Sequence, residues 1–345
     1  MAVAWRGIAL LVLSLSLSAC TTVSFYMQAA KGQLGLMLDR QPVERILGNP
    51  DTDPELARKL QLIAQAREFA GQSLGLSTDG SYTSYVNVER RHLVWNVFAA
   101  PAFSVDPLQW CFPIAGCVTY RGYFSESAAQ GYAQTLAAHG FDVYVGGVDA
   151  YSTLGWLNDP IPSTIMRRPD HRLAGLIFHE LAHQLIYVPG DTTFNESFAS
   201  FVEQEGLRRW LAGTENAEMF ARFLSEQQTQ IQFTQFVTAY RDRLAALYNR
   251  KDTPVAEKLA LQEEMREQWF RRDDAEAYRA WFEGPLNNAQ LATVSAYFDW
   301  LPAFATLLDR HDGDLQAFYQ AVRALAHMDA DNRHQRLTRL VDISR

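Results

Sequence analysis

Residues Phe178–Gly206 read FHELAHQLIYVPGDTTFNESFASFVEQEG, and the interpretation of this stretch decides what kind of fold surrounds it. His179 and His183 are four residues apart. On a helix that spacing sets both imidazoles on one face, within reach of a single ion. Neutral imidazole nitrogen is a good zinc ligand, and Glu180 can flank the ion's open position and carry a proton. The preceding RLAGLIF run is apolar enough to bury the rest of this helix. A catalytic zinc site needs a third protein ligand. Glu196 is the candidate, because it lies in a second helical pattern whose apolar face is Phe194, Phe198, Phe201 and Val202, and it projects from a different face. Pro189 and Gly190 form a turn that lets the second helix fold back on the first. Glu203, seven residues after Glu196, shares its face and either holds a histidine ring N–H or is a surface charge. A bare HExxH arises by chance on the order of once per hundred chains of this length, so the helix context and Glu196 carry the reading.

On either side of this stretch the chain changes character. The segment QPVERILGNPDTDPELARKLQLIAQAREFAGQSLG predicts two helices, the second capped by Asp53 with Pro54 at its first position. SYTSYVNVERRHLVWNVFAAPAF, VTYRGYF and FDVYVGGVDAY are rich in β-branched and aromatic residues and predict strands. SESAAQGYAQTLAAHG predicts a helix started by Ser125 and stopped by Gly140. From Pro169 onward the patterns are helical, and the charges of VAEKLALQEEMREQWFRRDDAEAYRAWF read as a solvated face. The fold class is therefore α+β: a small mixed sheet over 31–165, followed by a mostly helical part over 166–345 that carries the histidines. Of 345 residues, 48% are hydrophobic and 20% charged, which excludes a disordered chain. With a net charge of −8 and no basic stripe, nucleic acid is excluded as a partner.

The first twenty residues, MAVAWRGIALLVLSLSLSAC, combine one positive charge, a short apolar run and small residues ending at Cys20. This predicts a signal peptide over 1–19, lipid attachment at Cys20 and a tether over 20–30, with LSAC resembling a bacterial lipobox. The alternative is an uncleaved N-terminal anchor. Thr21 in place of an aspartate favours the outer membrane, with the protein facing the periplasm. In that oxidising compartment Cys111 and Cys117 are expected to form a disulfide; two reduced buried thiols are the alternative.

HELAHQ followed by NESFASFVE resembles the gluzincin metallopeptidases. In aminopeptidase N-type enzymes HELAHQ is followed by a NEGFA segment whose glutamate is the third ligand. The resemblance implies a zincin-like domain with His179, His183 and Glu196 as Zn²⁺ ligands and Glu180 as the base. Only twelve residues separate His183 from Glu196, fewer than in that group, so the connecting loop is tighter. The family's GAMEN amine-binding motif is missing, which leaves Asp149 or Asp159 for the substrate's amine. WNVFAAP, WCFPIAGCVTYRGYF, AYSTLGWLNDP, IFHELAHQ, FNESFASFVEQEG and NNAQLATVSAYFDWLPAF, with the lipobox, together resemble the predicted aminopeptidase family of bacterial lipoproteins. That resemblance covers most of the chain beyond residue 25.

Peptide hydrolysis also needs a surface for the substrate backbone and a donor for the oxyanion. Tyr151, Ser152, Thr153, Leu154 and Gly155 are expected to form an edge strand for the peptide, or else a structural hairpin. Tyr297 is the first choice for the donor, with Tyr240 and Tyr248 as rivals and a buried core tyrosine as the plain alternative. The expected activity is that of a zinc aminopeptidase with a peptide substrate. A zinc endopeptidase acting on envelope proteins or peptidoglycan peptides is the alternative, as is a non-catalytic metal-binding lipoprotein. His₂Glu sites accept cobalt or manganese as well.

Overall fold

The computed structural model describes residues 23–112, 116–154, 156–212, 217–250 and 254–343, apart from the side chains at 217, 295–298 and 343. The expected signal segment, Cys20, Gly155 and the Tyr297 side chain lie outside the described residues.

Helix α1 spans 23–39. Strand β1 (Gln41–Pro42) and helix α2 (Val43–Leu47) lead into α3 (Pro54–Leu74), where Asp53 accepts a hydrogen bond from the Leu56 N–H and Pro54 opens the helix. The β-rich part follows: β2 (Ser84–Val86), β3 (Val94–Pro101), β4 (Trp110–Phe112), β5 (Gly116–Val118) and β6 (Arg121–Tyr123). Helix α4 (Glu126–Ala138), capped by Ser125 and followed by Gly140 at φ +84°, leads to β7 (Phe141–Val148) and β8 (Ile161–Pro162). The remaining elements are helical: α5 (Asp170–Leu185), α6 (Thr192–Ala212), α7 (Ala217–Tyr248), α8 (Val255–Phe270), α9 (Arg279–Phe282), α10 (Asn288–Phe298), α11 (Leu301–Asp309), α12 (Leu315–Ala326) and α13 (Ala330–Ile343).

Where one small mixed sheet is expected, the described strands divide into three separate small sheets, because the strands are short and broken by turns. β3 lies between β6 and β7, antiparallel to both, with Asn96 opposite Gly146 and Gly122. β2 pairs antiparallel with β1 and parallel with β8, which makes that sheet mixed. β4 and β5 form a hairpin with a disulfide between Cys111 and Cys117.

The largest core gathers α3, α5, α6, α11 and α12 around Phe178, Phe194, Phe198, Phe304 and Phe318, all fully buried. Each such ring contributes about 1.5–3 kcal/mol on leaving water. Two glycines set how closely α5 and α6 cross. A Cβ at Gly175 would lie 2.7 Å from Leu207, and one at Gly206 would lie 2.8 Å from Phe178. A second core surrounds Trp269 and Phe282 between α7, α8 and α10. Here one expectation fails. α8 is not merely solvated on its charged face, because Lys258 is buried and donates to Asp142 Oδ2 and to the Ala102 carbonyl, both at 2.7 Å. The cation is buried because both partners are supplied by the sheet beneath it.

Candidate active site

The HELAH residues sit in the second half of α5, whose apolar residues Leu173, Ile177, Phe178 and Leu181 are fully buried against α3 and α6. Burial of that face turns His179 and His183 together toward α6. The turn between the helices is fixed by its own polar groups. The Asn195 amide accepts from Val188 N–H and donates to Val188 C=O, both at 2.8 Å. Gly190 takes φ +86°, a left-handed conformation that glycine tolerates best. Asp191 Oδ1 accepts from Phe194 N–H at 3.0 Å and caps α6. Asp191 Oδ2 receives Arg333 Nη2 at 2.7 Å and His334 Nε2 at 2.9 Å, both from α13. The neighbour of the clamped Asn195 is Glu196, which is thereby aimed at the histidines.

His179 Nε2 and His183 Nε2 are 3.2 Å apart, and Glu196 Oε2 lies 3.4 Å from the first and 3.6 Å from the second. Ligands about 2.05 Å from a tetrahedral zinc ion lie about 3.3 Å from one another. The three atoms therefore have the mutual spacing of one face of a zinc tetrahedron. They are a group of side chains able to hold a metal ion. Glu203 Oε2 is 3.2 Å from His179 Nδ1, which leaves Nε2 of that ring for the ion. His183 Nδ1 is buried with no partner among the described residues, so the two histidines are not equally held.

Electrostatics follow from this crowding. Burial disfavours charge on both His179 and Glu196, but their mutual attraction outweighs it. Glu196 and Glu203 push the His179 imidazole up to about 10, and His183 and His179 hold Glu196 well below the usual carboxylate range. Glu180 goes the other way: burial raises its carboxyl, with Glu196 and Asp159 adding to the rise while the two histidines oppose it. A carboxyl that holds its proton more firmly is suited to moving one.

Glu180 and His179 border two cavities. One, of about 530 Å³, is walled by Phe25 and Tyr26 of α1, Phe112 and Val118 of the hairpin, Tyr120, Tyr151 and Tyr187. The other, of about 330 Å³, is lined by Arg168, Arg172, Glu203, Glu226 and three glutamines.

Several expected residues lie elsewhere. The described residues of the stretch, 149–154 and 156–160, form neither strand nor hairpin. Tyr151, Ser152 and Leu154 do line the larger cavity, but Thr153 turns to Asp159, donating through N–H and Oγ1 at 2.8 Å each. Ahead of α5, β7 is an edge strand of its sheet, and its last residue, Val148, borders both cavities. Along it, the Val143 carbonyl accepts from Asn287 at 2.8 Å, and Val145 and Gly147 share its backbone phase. Asp149 is held by His92 at 2.7 Å and by Arg167 and Arg168, and Asp159 is buried beside Thr153, so neither is placed to take an amine. Tyr240 hydrogen-bonds Glu264 and Tyr248 hydrogen-bonds Asn288, both away from the cleft. Of the phenols lining the cavities, Tyr120 and Tyr187 are the two whose hydroxyls feel the Glu196 carboxylate. Tyr120 is raised by burial and by the nearby carboxylates of Glu196 and Glu180, and Tyr187 by burial and Glu196. Tyr187 follows His183 at the same interval that separates the two histidines, a visible signal; Tyr120 sits within a run that reads only as a strand.

A family described as "putative aminopeptidase" matches residues 24–337. The chain belongs to this family. Its match includes α5, α6, both cavities and most of α13. No curated protein and no solved structure matches the chain.

Proposed function

We propose that this member of the aminopeptidase family is a zinc-dependent peptide hydrolase with a zincin-like catalytic domain. The observation that carries the reading is the Nε2–Nε2–Oε2 triangle of His179, His183 and Glu196, with Glu180 beside it in a cleft. These three residues would hold the ion, and zinc bound there supplies a Lewis acid that polarises the scissile carbonyl and acidifies water. Glu180 takes a proton from the attacking water as the new C–O bond forms, then returns it to the amine nitrogen as the C–N bond breaks. Tyr120 donates to the carbonyl oxygen as it gains charge. Val145 and Gly147, on the outer edge of β7, offer backbone groups to an extended peptide. Glu203 keeps the His179 ring oriented.

Aminopeptidase activity is the first reading, from the family. The cavities on both sides of Glu180 favour a second, endopeptidase activity, because they leave room on either side of the bond. Acylation of Cys20 would anchor the protein to the outer membrane, facing the periplasm. Among the described residues no helix is long and apolar enough to cross a membrane.

The test is digestion of an unbiased peptide mixture by the zinc-loaded protein, read by mass spectrometry, with Glu180→Gln as the blank. A loss of activity of about 10²–10⁴-fold in the variant, with zinc still bound, is expected. Removal of single N-terminal residues assigns an aminopeptidase, and internal cuts assign an endopeptidase. Identical digests from both proteins would refute hydrolysis through Glu180.

A further inference from the structure

Helix α1 is apolar on two opposite faces. Phe25, Ala29, Gly32 and Leu36 fall on one face at helical spacing, and this face is docked. Phe25 packs against Phe112 and Tyr123, with the Arg121 guanidinium over its ring. Gln28 at the flank accepts from Phe124 N–H at 3.0 Å and donates to the Gly122 carbonyl, clamping the helix to β6. Gly32 lets Phe124 approach where a Cβ would lie 2.2 Å from the ring. Val23, Met27, Ala30, Leu34 and Leu38 occupy the other face. They run the whole length of the helix, and Val23, Met27, Leu34 and Leu38 are 60%, 66%, 58% and 73% exposed. A soluble surface helix has no use for this second stripe.

We propose that α1 lies along a lipid surface, with this stripe set among the acyl chains. Three features favour lipid. The stripe begins three residues after Cys20, so an acyl chain there would enter the bilayer beside Val23; to this extent the inference rests on the lipoprotein reading. Anchoring at Cys20 would hold the residues that follow it against the bilayer surface, where a helix with an exposed apolar face lies with that face among the acyl chains. At the other end, Arg40 donates to the Asn158 carbonyl at 2.8 Å, which ties the loop bearing Trp156 to the end of the helix. Trp156 is 71% exposed, and tryptophan is favoured at the membrane interface. A second copy of the chain fits less well, because the ridge offers on the order of 400 Å², about half of one side of a stable protein interface.

The consequence concerns substrate. The face opposite the stripe supplies Phe25 and Ala29 to the larger cavity, and Tyr26 joins them from the flank. The cleft thus sits one helix diameter, about 10 Å, from the acyl chains, close to the level of the headgroups. Peptides held at the membrane surface reach it without being drawn away from the bilayer.

The experiment uses the chain from residue 20 onward with Cys20→Ser, which keeps every described residue and carries no lipid. Its flotation with vesicles of phosphatidylethanolamine and a minor share of phosphatidylglycerol is compared with that of the same chain bearing Met27→Glu, Leu34→Glu and Leu38→Glu. Thermal unfolding checks that both are folded. The parent is expected to float and the triple variant to bind at least about tenfold more weakly. A parent that stays off the vesicles, or a variant that binds equally, overturns the proposal. So does a parent dimer in sedimentation that the substitutions dissolve, which would assign the stripe to a second copy. The mass of the chain isolated from the envelope reports acylation of Cys20 separately. An unmodified Cys20 ends the lipoprotein reading while the vesicle comparison still decides the role of the helix.

Discussion

The two cavities beside Glu180 share His179 and Glu180 yet are built from different material. The smaller is made mainly of helices α5, α6 and α7, with the end of β7 at one side, and its walls carry Arg168, Arg172, Glu203 and Glu226. There Glu226 already holds His171 at 3.0 Å and Arg172 at 2.8 Å. The larger is assembled from α1, the disulfide-bonded hairpin, the end of β7 and the turn after α5, and its walls are mainly aromatic and aliphatic. One therefore suits a polar or charged part of a peptide and the other an apolar side chain, with the reacting bond at their boundary. The three residues able to hold a metal ion are mounted on helices α5 and α6, yet all of them line the larger cavity and His179 alone also borders the smaller; the aromatic walls that would shape a substrate come from the non-helical part of the larger one.

If that division is right, damage on the two sides should read out differently. The largest structural effect is expected on the helical side. Arg333→Met leaves Asp191 buried without its cation, so unfolding should cost about 3–5 kcal/mol less. Zinc affinity should fall with it, because α6 loses the lock that aims Glu196; denaturant melts and calorimetric titration measure the two. Unchanged affinity would detach α13 from the site. On the other side, Tyr120→Phe should leave zinc binding and stability near the parent values while lowering kcat by about 10²–10³-fold. A change in KM alone would make Tyr120 a wall residue and not a donor. A smaller effect is expected for Glu203→Gln, which weakens the hold on His179 Nδ1 and should reduce zinc affinity about 10–100-fold. The conservative Glu203→Asp should restore part of that loss if orientation is the cause.

The mildest test is pH. In the metal-free protein His179 is raised from 6.5 to about 10, so its contribution to stability is complete below about 6.5 and is lost as the pH climbs through 10. Glu196 is lowered from 4.5, so its contribution is present above about 4.5 and is lost as the pH falls below that value. The pair should therefore help the metal-free protein most between about 4.5 and 6.5, and its melting temperature should decline by a few degrees from pH 6.5 to 10. Zinc takes the proton's place on the imidazole, so the loaded protein should lack that decline.

The same division explains what the sequence reveals. The helix pair is encoded within one short stretch. The histidine interval, Pro189–Gly190 and the apolar positions of α6 are local signals, and the triangle forms where they place it. Asn195 was visible as the residue beside Glu196, but its grip on Val188 depends on the turn's shape. The larger cavity brings together residues from 25 to 196, and no periodicity marks such a meeting. Tyr240 and Tyr248 carry the same chemistry as Tyr120 on paper. They differ only in lying in the Trp269 core, where their hydroxyls already have partners. Residues 151–154 are not a strand because Asp159 gathers Thr153 into an irregular loop.

The Asp191–Arg333 pair ties the aim of Glu196 to a helix near the end of the chain. A nascent or clipped molecule lacking α13 has every atom of the triangle but not the brace that aligns it. Were the chain to hydrolyse peptides as proposed, that competence would wait on the docking of α13.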